Sequence, residues 1–317
     1  MNQIIKSKYL ALLAFAPMLA TAEEGGSGHY MPGSMSSFVD GVPTEETFIA
    51  RYNFLLWDAE VEANRTLPIA GLLTAGADIT SYANGLTLLW RPSWGSINDR
   101  WSYAMSATIP YVDLDVSANV ITPLGTVRRS DSISGIGDIV LMPVMLNQNI
   151  SPDFNINYRL GVYAPTGKYE VGRLANTGKN YWTIEPTVGF MYFGQKNGRE
   201  ASVFFGGDFN FENSETDYQT GTQLHIDGTL AQHLPLWGGL IGIGVNGYWY
   251  EQVGSDSGAG ATFGDFKART TGIGPVLSFV SKIADVDIIA ELKWLHEFNT
   301  KDRPEGDFIW FKLVSKF

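Results

Sequence analysis

The run Asp285-Val-Asp-Ile-Ile-Ala-Glu-Leu-Lys-Trp-Leu-His-Glu-Phe298 decides the fold. Val286, Ile288, Ala290, Leu292, Trp294 and Phe298 share one parity, and Asp285, Asp287, Glu291, Lys293 and Glu297 share the other. Two is the side-chain period of a strand, so one face is apolar and the other charged. Four further runs repeat the pattern: 154–163, 182–192, 200–212 and 308–317. A soluble sandwich buries such an apolar face in a core. An outer-membrane barrel turns it to lipid and keeps the polar face for its lumen.

Alternation alone does not separate the two, but connection lengths do. The pattern predicts strands at 47–57, 79–91, 100–113, 135–147, 153–164, 181–194, 199–211, 220–233, 239–251, 266–281, 285–298 and 307–317, an even number. Connections after the odd strands are mostly long (58–78, 114–134, 165–180, 212–219, 252–265, 299–306), and those after the even strands are short. Long outer loops alternating with short periplasmic turns mark a bacterial barrel. An all-β, twelve-stranded antiparallel transmembrane barrel over 47–317 is therefore expected. Trp57, Trp90, Trp101, Trp182, Trp249, Trp294 and Trp310 fall near predicted strand ends, where aromatic girdles belong.

Composition removes other classes. Charged residues are 17% of 317, against roughly 25% in an average soluble domain. The absence of cysteine rules out disulfides, thiolate catalysis and Cys-ligated zinc. A net charge of −11 repels nucleic acid. Lys6 and Lys8, the apolar stretch 9–20 and Ala20-Thr21-Ala22 read as a secretory signal over 1–22; with the barrel pattern, the expected location is the bacterial outer membrane. Residues 23–46 do not alternate, and read either as a periplasmic tail or as a lumen plug.

Catalytic motifs are weak. Gly242-Ile-Gly-Val-Asn-Gly247 has the letters of a dinucleotide loop but continues an alternating strand. Ser255-Asp-Ser-Gly258 falls in an outer loop. His225, Asp227 and His233 share a strand face and read as a polar lumen wall rather than a metal site. His296, with Asn299 beyond it, is the one hint of a barrel-borne lipid hydrolase. No catalytic residue, metal or cofactor is expected.

The inward parity places Arg51, Arg91, Arg159, Glu185, Asp208, Asp227, Glu291, Lys293 and Lys312 along the lumen, with Tyr163, Phe204, Tyr248 and Tyr250 as stacking surfaces. Asp287, Glu291 and Glu297 form a ladder beside Lys312 and Lys316. These charges either set the field of a water-filled pore or form a matched buried network. Lys168, Tyr169, Arg173 and Lys179 mark the outer entrance.

The chain resembles the outer-membrane transporter family associated with the meta-cleavage pathway of phenol degradation. The resemblance rests on Gly26-Ser-Gly-His-Tyr-Met-Pro-Gly33, Met35-Ser-Ser-Phe-Val-Asp40, Arg65-Thr-Leu-Pro68, Tyr163-Ala-Pro-Thr-Gly-Lys-Tyr169, Gly178-Lys-Asn-Tyr-Trp182, Thr216-Asp-Tyr-Gln219, Gly264-Asp-Phe-Lys267 and Gly272-Ile-Gly-Pro275. It implies a channel for small aromatic or hydrophobic compounds. The expected partners are a small-molecule solute, outer-membrane lipid and the barrel-assembly machinery, with the chain a monomer. A closed anchor barrel is the structural alternative.

Overall fold

Strand alternation is realised as thirteen antiparallel strands in the computed structural model, which describes residues 26–262, 267–283 and 286–317. The signal over 1–22 lies outside these residues. The strands are β1 (Thr47–Ile69), β2 (Leu72–Arg91), β3 (Trp101–Thr122), β4 (Gly125–Ile136), β5 (Ile139–Ser151), β6 (Phe154–Ala164) and β7 (Thr183–Phe193). They continue as β8 (Arg199–Asn210), β9 (Gln223–Leu236), β10 (Gly239–Gln252), β11 (Arg269–Ile283), β12 (Val286–Lys301) and β13 (Glu305–Lys316).

Each strand from β5 to β13 pairs with its sequence neighbour, and β1 pairs with both β2 and β13, which closes the sheet. Closure removes free edges, as lipid requires, because unpaired backbone groups have no water to bond there. β3 pairs with β2 along one edge and carries two partners on the other: its first half pairs with β5, and its second half pairs with β4. The wall therefore has twelve strands, and β4 is an extra strand above it. The twelve wall strands are those expected from the sequence.

Two expected loops are corrected. Residues 58–78 and 114–134 are the outer halves of the β1–β2 and β3–β4 hairpins. Their alternation continues with the polarity reversed. In the lower part of β1 the outward residues include Phe48 and Tyr52, whereas above Trp57 they are Asp58, Glu60 and Glu62. Their inward neighbours Ala59 and Val61 pack with Ile79, Val116, Ala118, Leu174 and Phe308 in one apolar cluster. The reversal marks where the wall leaves lipid for water, since a surface in water needs polar groups outside and apolar ones within. The β1–β2 hairpin closes at Ala70-Gly71, both at positive φ (45° and 80°), a conformation in keeping with a tight primed turn.

The aromatic belt is also corrected in part. Trp90, Trp182 and Trp294 are exposed outward, but Trp57 and Trp310 are buried inside. Trp57 donates to Glu297 Oε2 (3.3 Å) and Trp310 to the Pro32 carbonyl (3.0 Å). Both belong to the inward parity of their strands, which proximity to a strand end does not override. A closed twelve-stranded barrel, apolar outside and polar within, is the architecture of a bacterial outer-membrane protein.

Candidate functional site

Residues 26–46 thread the interior from the outer mouth to the inner end. Gly26 lies against Pro304 and Leu67, and Thr44 meets Arg91 near the inner turns. The segment is mostly irregular, so its backbone groups need partners from the wall. Asp227 accepts from Tyr30 Oη (2.8 Å) and the Gly33 amide (2.6 Å). Lys293 donates to the Gly33 carbonyl (2.5 Å) and Ser36 Oγ (2.8 Å), and the Val42 amide donates to Asn157 Oδ1 (2.9 Å).

The centre of this lock is Asp40. Its carboxylate accepts from Lys312 Nζ (2.7 and 2.8 Å), Arg51 Nη1 (3.0 Å) and the Ser36 and Ser37 amides. Burying a carboxylate is costly, and the Lys312 and Arg51 cations beside Asp40 offset that cost. Glu291 lies 3.3 Å from Lys293 and 3.6 Å from Lys312 and accepts from Ser37 Oγ; Arg159 donates to the Asp40 carbonyl. Four cations (Arg51, Arg159, Lys293, Lys312) thus surround two carboxylates. Across the interior the balance reverses: Glu185, Asp208 and Asp227 surround His225.

Beside the segment, on the β1–β3 side, lies a cavity of about 300 Å³. Leu55, Ala83, Val112 and Leu114 give it apolar walls, and Arg51, Asn53, Thr87 and Thr108 give it polar points. A second cavity of about 100 Å³ sits above, walled by Ile69, Ile79, Val116 and Leu174. Ser27, Trp57, Leu114, Asn176, Thr177 and Lys179 line both, so the two meet at a neck.

Of the expected lumen charges, Arg51 borders the cavity. Arg91, Arg159, Glu185, Asp208, Asp227, Glu291, Lys293 and Lys312 are buried against the segment or one another. Arg91, for instance, donates to the Pro92 and Thr44 carbonyls and to Ser96 Oγ. Of the expected entrance residues, Tyr169 and Lys179 line the upper cavity and Lys168 is exposed. Arg173 instead forms a fork with Asp131 (2.6 and 3.0 Å) that ties loop 165–182 to β4. His225 and His233 do not meet: His233 pairs with Glu200 (2.8 Å) while His225 faces Glu185 and Asp227. His296 is outward and exposed, bonded to Asp307 (3.0 Å), and the residues opposite it are Ile273 and Asp307, neither of them a serine.

Three residues of the site were not among the expected lumen charges: His29 and Asp40 lie on the aperiodic segment, and Asp138, inside the expected strand 135–147, lies in the two-residue break between β4 and β5. His29 accepts or donates between Thr183 (2.7 Å) and Asp138 (2.9 Å) at the cavity's edge. Burial holds its imidazole below the ordinary value despite Asp138 beside it. Asp138 is buried too, but bonds from His29 and the Gly167 and Lys179 amides keep its carboxyl below the usual range. The sequence signal for His29 and Asp40 is that the segment 26–40 is too polar and too rich in Gly and Ser to be a strand.

The Asp131–Arg173 pair gives a pH expectation. Arg173 holds the Asp131 carboxyl down to about 2, against about 3.9 when unpaired. A depressed folded value means the pair's contribution is complete above about pH 4 and is lost as pH falls through about 2. Pepsin is expected to leave loop 165–182 intact at pH 4 and to cut it below pH 2. Equal cutting at both would contradict the pairing, and Arg173→Ala is expected to be cut already at pH 4.

Residues 63–313 match the model of the family described as "Putative MetA-pathway of phenol degradation". No curated protein matches the sequence. An outer membrane channel from Pseudomonas putida F1 is similar in structure with a TM-score of 0.65 at 16% identity, covering 91% of this chain and 100% of that one. A Pseudomonas aeruginosa FadL homologue gives a TM-score of 0.39 at 9% identity, covering 94% and 98%. The β-domain of the Bordetella autotransporter BrkA gives 0.39 at 10%, covering 86% and 99%.

Proposed function

Because this chain belongs to the family described as "Putative MetA-pathway of phenol degradation", we propose that it is an outer-membrane channel for passive uptake of small, apolar-bodied compounds, chiefly single-ring aromatics. The observation that carries this reading is the pair of joined cavities beside the threaded segment. A void of about 150 Å³ holds benzene, so about 300 Å³ accommodates one substituted ring. Ligand sites are typically apolar with few convergent polar groups. Here the apolar wall comes from β1–β3, and the polar point is Arg51, whose Nε is buried without a hydrogen-bond partner. Arg51 is one of the four cations around two carboxylates, and that floor favours an acceptor or anionic head such as a carboxylate.

No chemistry is assigned to the chain. The channel acts by lining a path, as a monomer in lipid, and its partner is the solute. A lipid hydrolase would need a nucleophile at His296, whose cross-strand partners are Ile273 and Asp307.

The test is single-channel recording of the refolded protein in a planar bilayer, with and without benzoate. Discrete steps that benzoate partly blocks are expected, with the block relieved in Arg51→Ala. Silence from folded protein, or a block indifferent to Arg51, would overturn the reading.

A further inference from the structure

We propose that the acidic flank of the barrel interior is a divalent-cation site, with His225 Nε2 and one oxygen each of Glu185 and Asp208 as ligands. The residues come from three neighbouring strands: Glu185 on β7, Asp208 on β8 and His225 on β9. The three ligand atoms lie within 4.8 Å of one another, and all three residues are buried.

The histidine supplies the observation that separates this site from a mere acidic cluster. Its Nε2 is aimed among the carboxylates and has no hydrogen-bond partner, and the ring is 1% exposed. Glu185 Oε1 stands 3.5 Å away, a poor length for a hydrogen bond. It is a good length for a shared metal: bonds of about 2.1 Å in a tetrahedron place ligand atoms about 3.4 Å apart.

The outer shell agrees. Metal-bound histidines ordinarily turn their second ring nitrogen to a carboxylate, which fixes the tautomer. His225 Nδ1 lies 3.3 Å from Asp227 Oδ2, and Asp227 is itself held by Tyr30 and the Gly33 amide. Glu185 is held by Tyr163 Oη (2.5 Å) and Thr187 Oγ1 (2.9 Å). Tyr30 stacks on the imidazole with centroids 3.5 Å apart, and a Cβ at Gly206 would overlap the ring.

Charge points the same way. Glu185 and Asp227 flank the one imidazole, and among the described residues neither is ion-paired with a lysine or arginine. A divalent ion balances that excess. One imidazole with two carboxylates suits zinc, cobalt, iron or manganese better than an all-oxygen ion such as calcium. The ion would pin the wall to the threaded segment through Asp227. This inference does not depend on the transport reading.

The experiment is equilibrium dialysis of the chelator-stripped, folded protein against Zn²⁺, with metal measured by mass spectrometry. Visible absorption of the Co²⁺-loaded protein reports coordination. One equivalent per chain and the spectrum of a four-coordinate site are expected. His225→Gln and Glu185→Gln should each weaken binding by at least about tenfold, and Asp227→Asn by about 10- to 100-fold. His296→Gln, on the exposed face, should leave binding unchanged. Folding of each variant is checked by heat-modifiable migration. If His225→Gln does not fold, Asp227→Asn and the wild-type Co²⁺ spectrum decide. A folded wild type that retains no metal would overturn the proposal, leaving carboxylates that share a proton. So would full retention in folded His225→Gln.

Discussion

Replacing Asp40 by alanine is expected to release residues 26–46 from the barrel interior while leaving the wall closed. The carboxylate gathers Lys312, Arg51 and two backbone amides, and the Arg159 guanidinium sits on its carbonyl. Removing it takes the carboxylate partner from Arg51 and Lys312 in a buried space, where Glu291 is left to Lys293 and Lys312. Deleting one partner of a buried ion pair costs about 3–5 kcal/mol, because the other charge stays buried and uncompensated. The wall does not depend on this contact, since its strands are tied by antiparallel backbone ladders that close the sheet. The cheapest relaxation is therefore for the segment to leave and for water to enter. Protease should then cut within 26–46 in folded Asp40→Ala but not in the wild type, and single-channel conductance should rise. Wild-type protection and conductance in a folded variant would contradict the lock described here. Removing residues 26–44 outright should raise conductance in the same direction.

The second large effect concerns the neck. Leu114 on β3 borders both cavities. Leu114→Trp is expected to cut entry of an aromatic solute by about tenfold or more and to change folding little. Overfilling a packed site costs about 1–3 kcal/mol, and about 1.4 kcal/mol is tenfold in rate. In the resting protein the indole occupies empty space, so the cost falls on passage of the solute. Leu114→Ala should leave passage unchanged or faster. Equal uptake by wild type and Leu114→Trp would place the path elsewhere.

Most of the wall was legible in the sequence because lipid imposes a strict rule. Every spanning residue faces either hydrocarbon or the interior, so a run such as Val286–Phe298 keeps its parity throughout. The hairpin tips were less legible for the same reason. Above Trp57 and below Ile79 the parity persists but its meaning reverses, and Asp58-Ala-Glu-Val-Glu62 reads as the end of a strand when only the outward apolar face is followed. The reversal itself is a usable signal of emergence from the membrane. Parity also placed Arg159, Lys293 and Lys312 inward, but it carries no information on what covers them. That depends on Tyr30, Gly33 and Asp40, whose irregular backbone follows no period. The cavity was equally hidden, being the space left over between a periodic wall and an aperiodic segment.

The central claim is that a small aromatic compound crosses beside the threaded segment. Entry of radiolabelled benzoate into proteoliposomes at pH 8 tests it most directly, since benzoate is then ionised and slow to cross lipid. Folded wild-type protein should speed entry well above protein-free vesicles, Leu114→Trp should abolish most of that gain, and excess unlabelled phenol should compete. Entry no faster than in protein-free vesicles, with the barrel shown to be folded and inserted, would contradict the account.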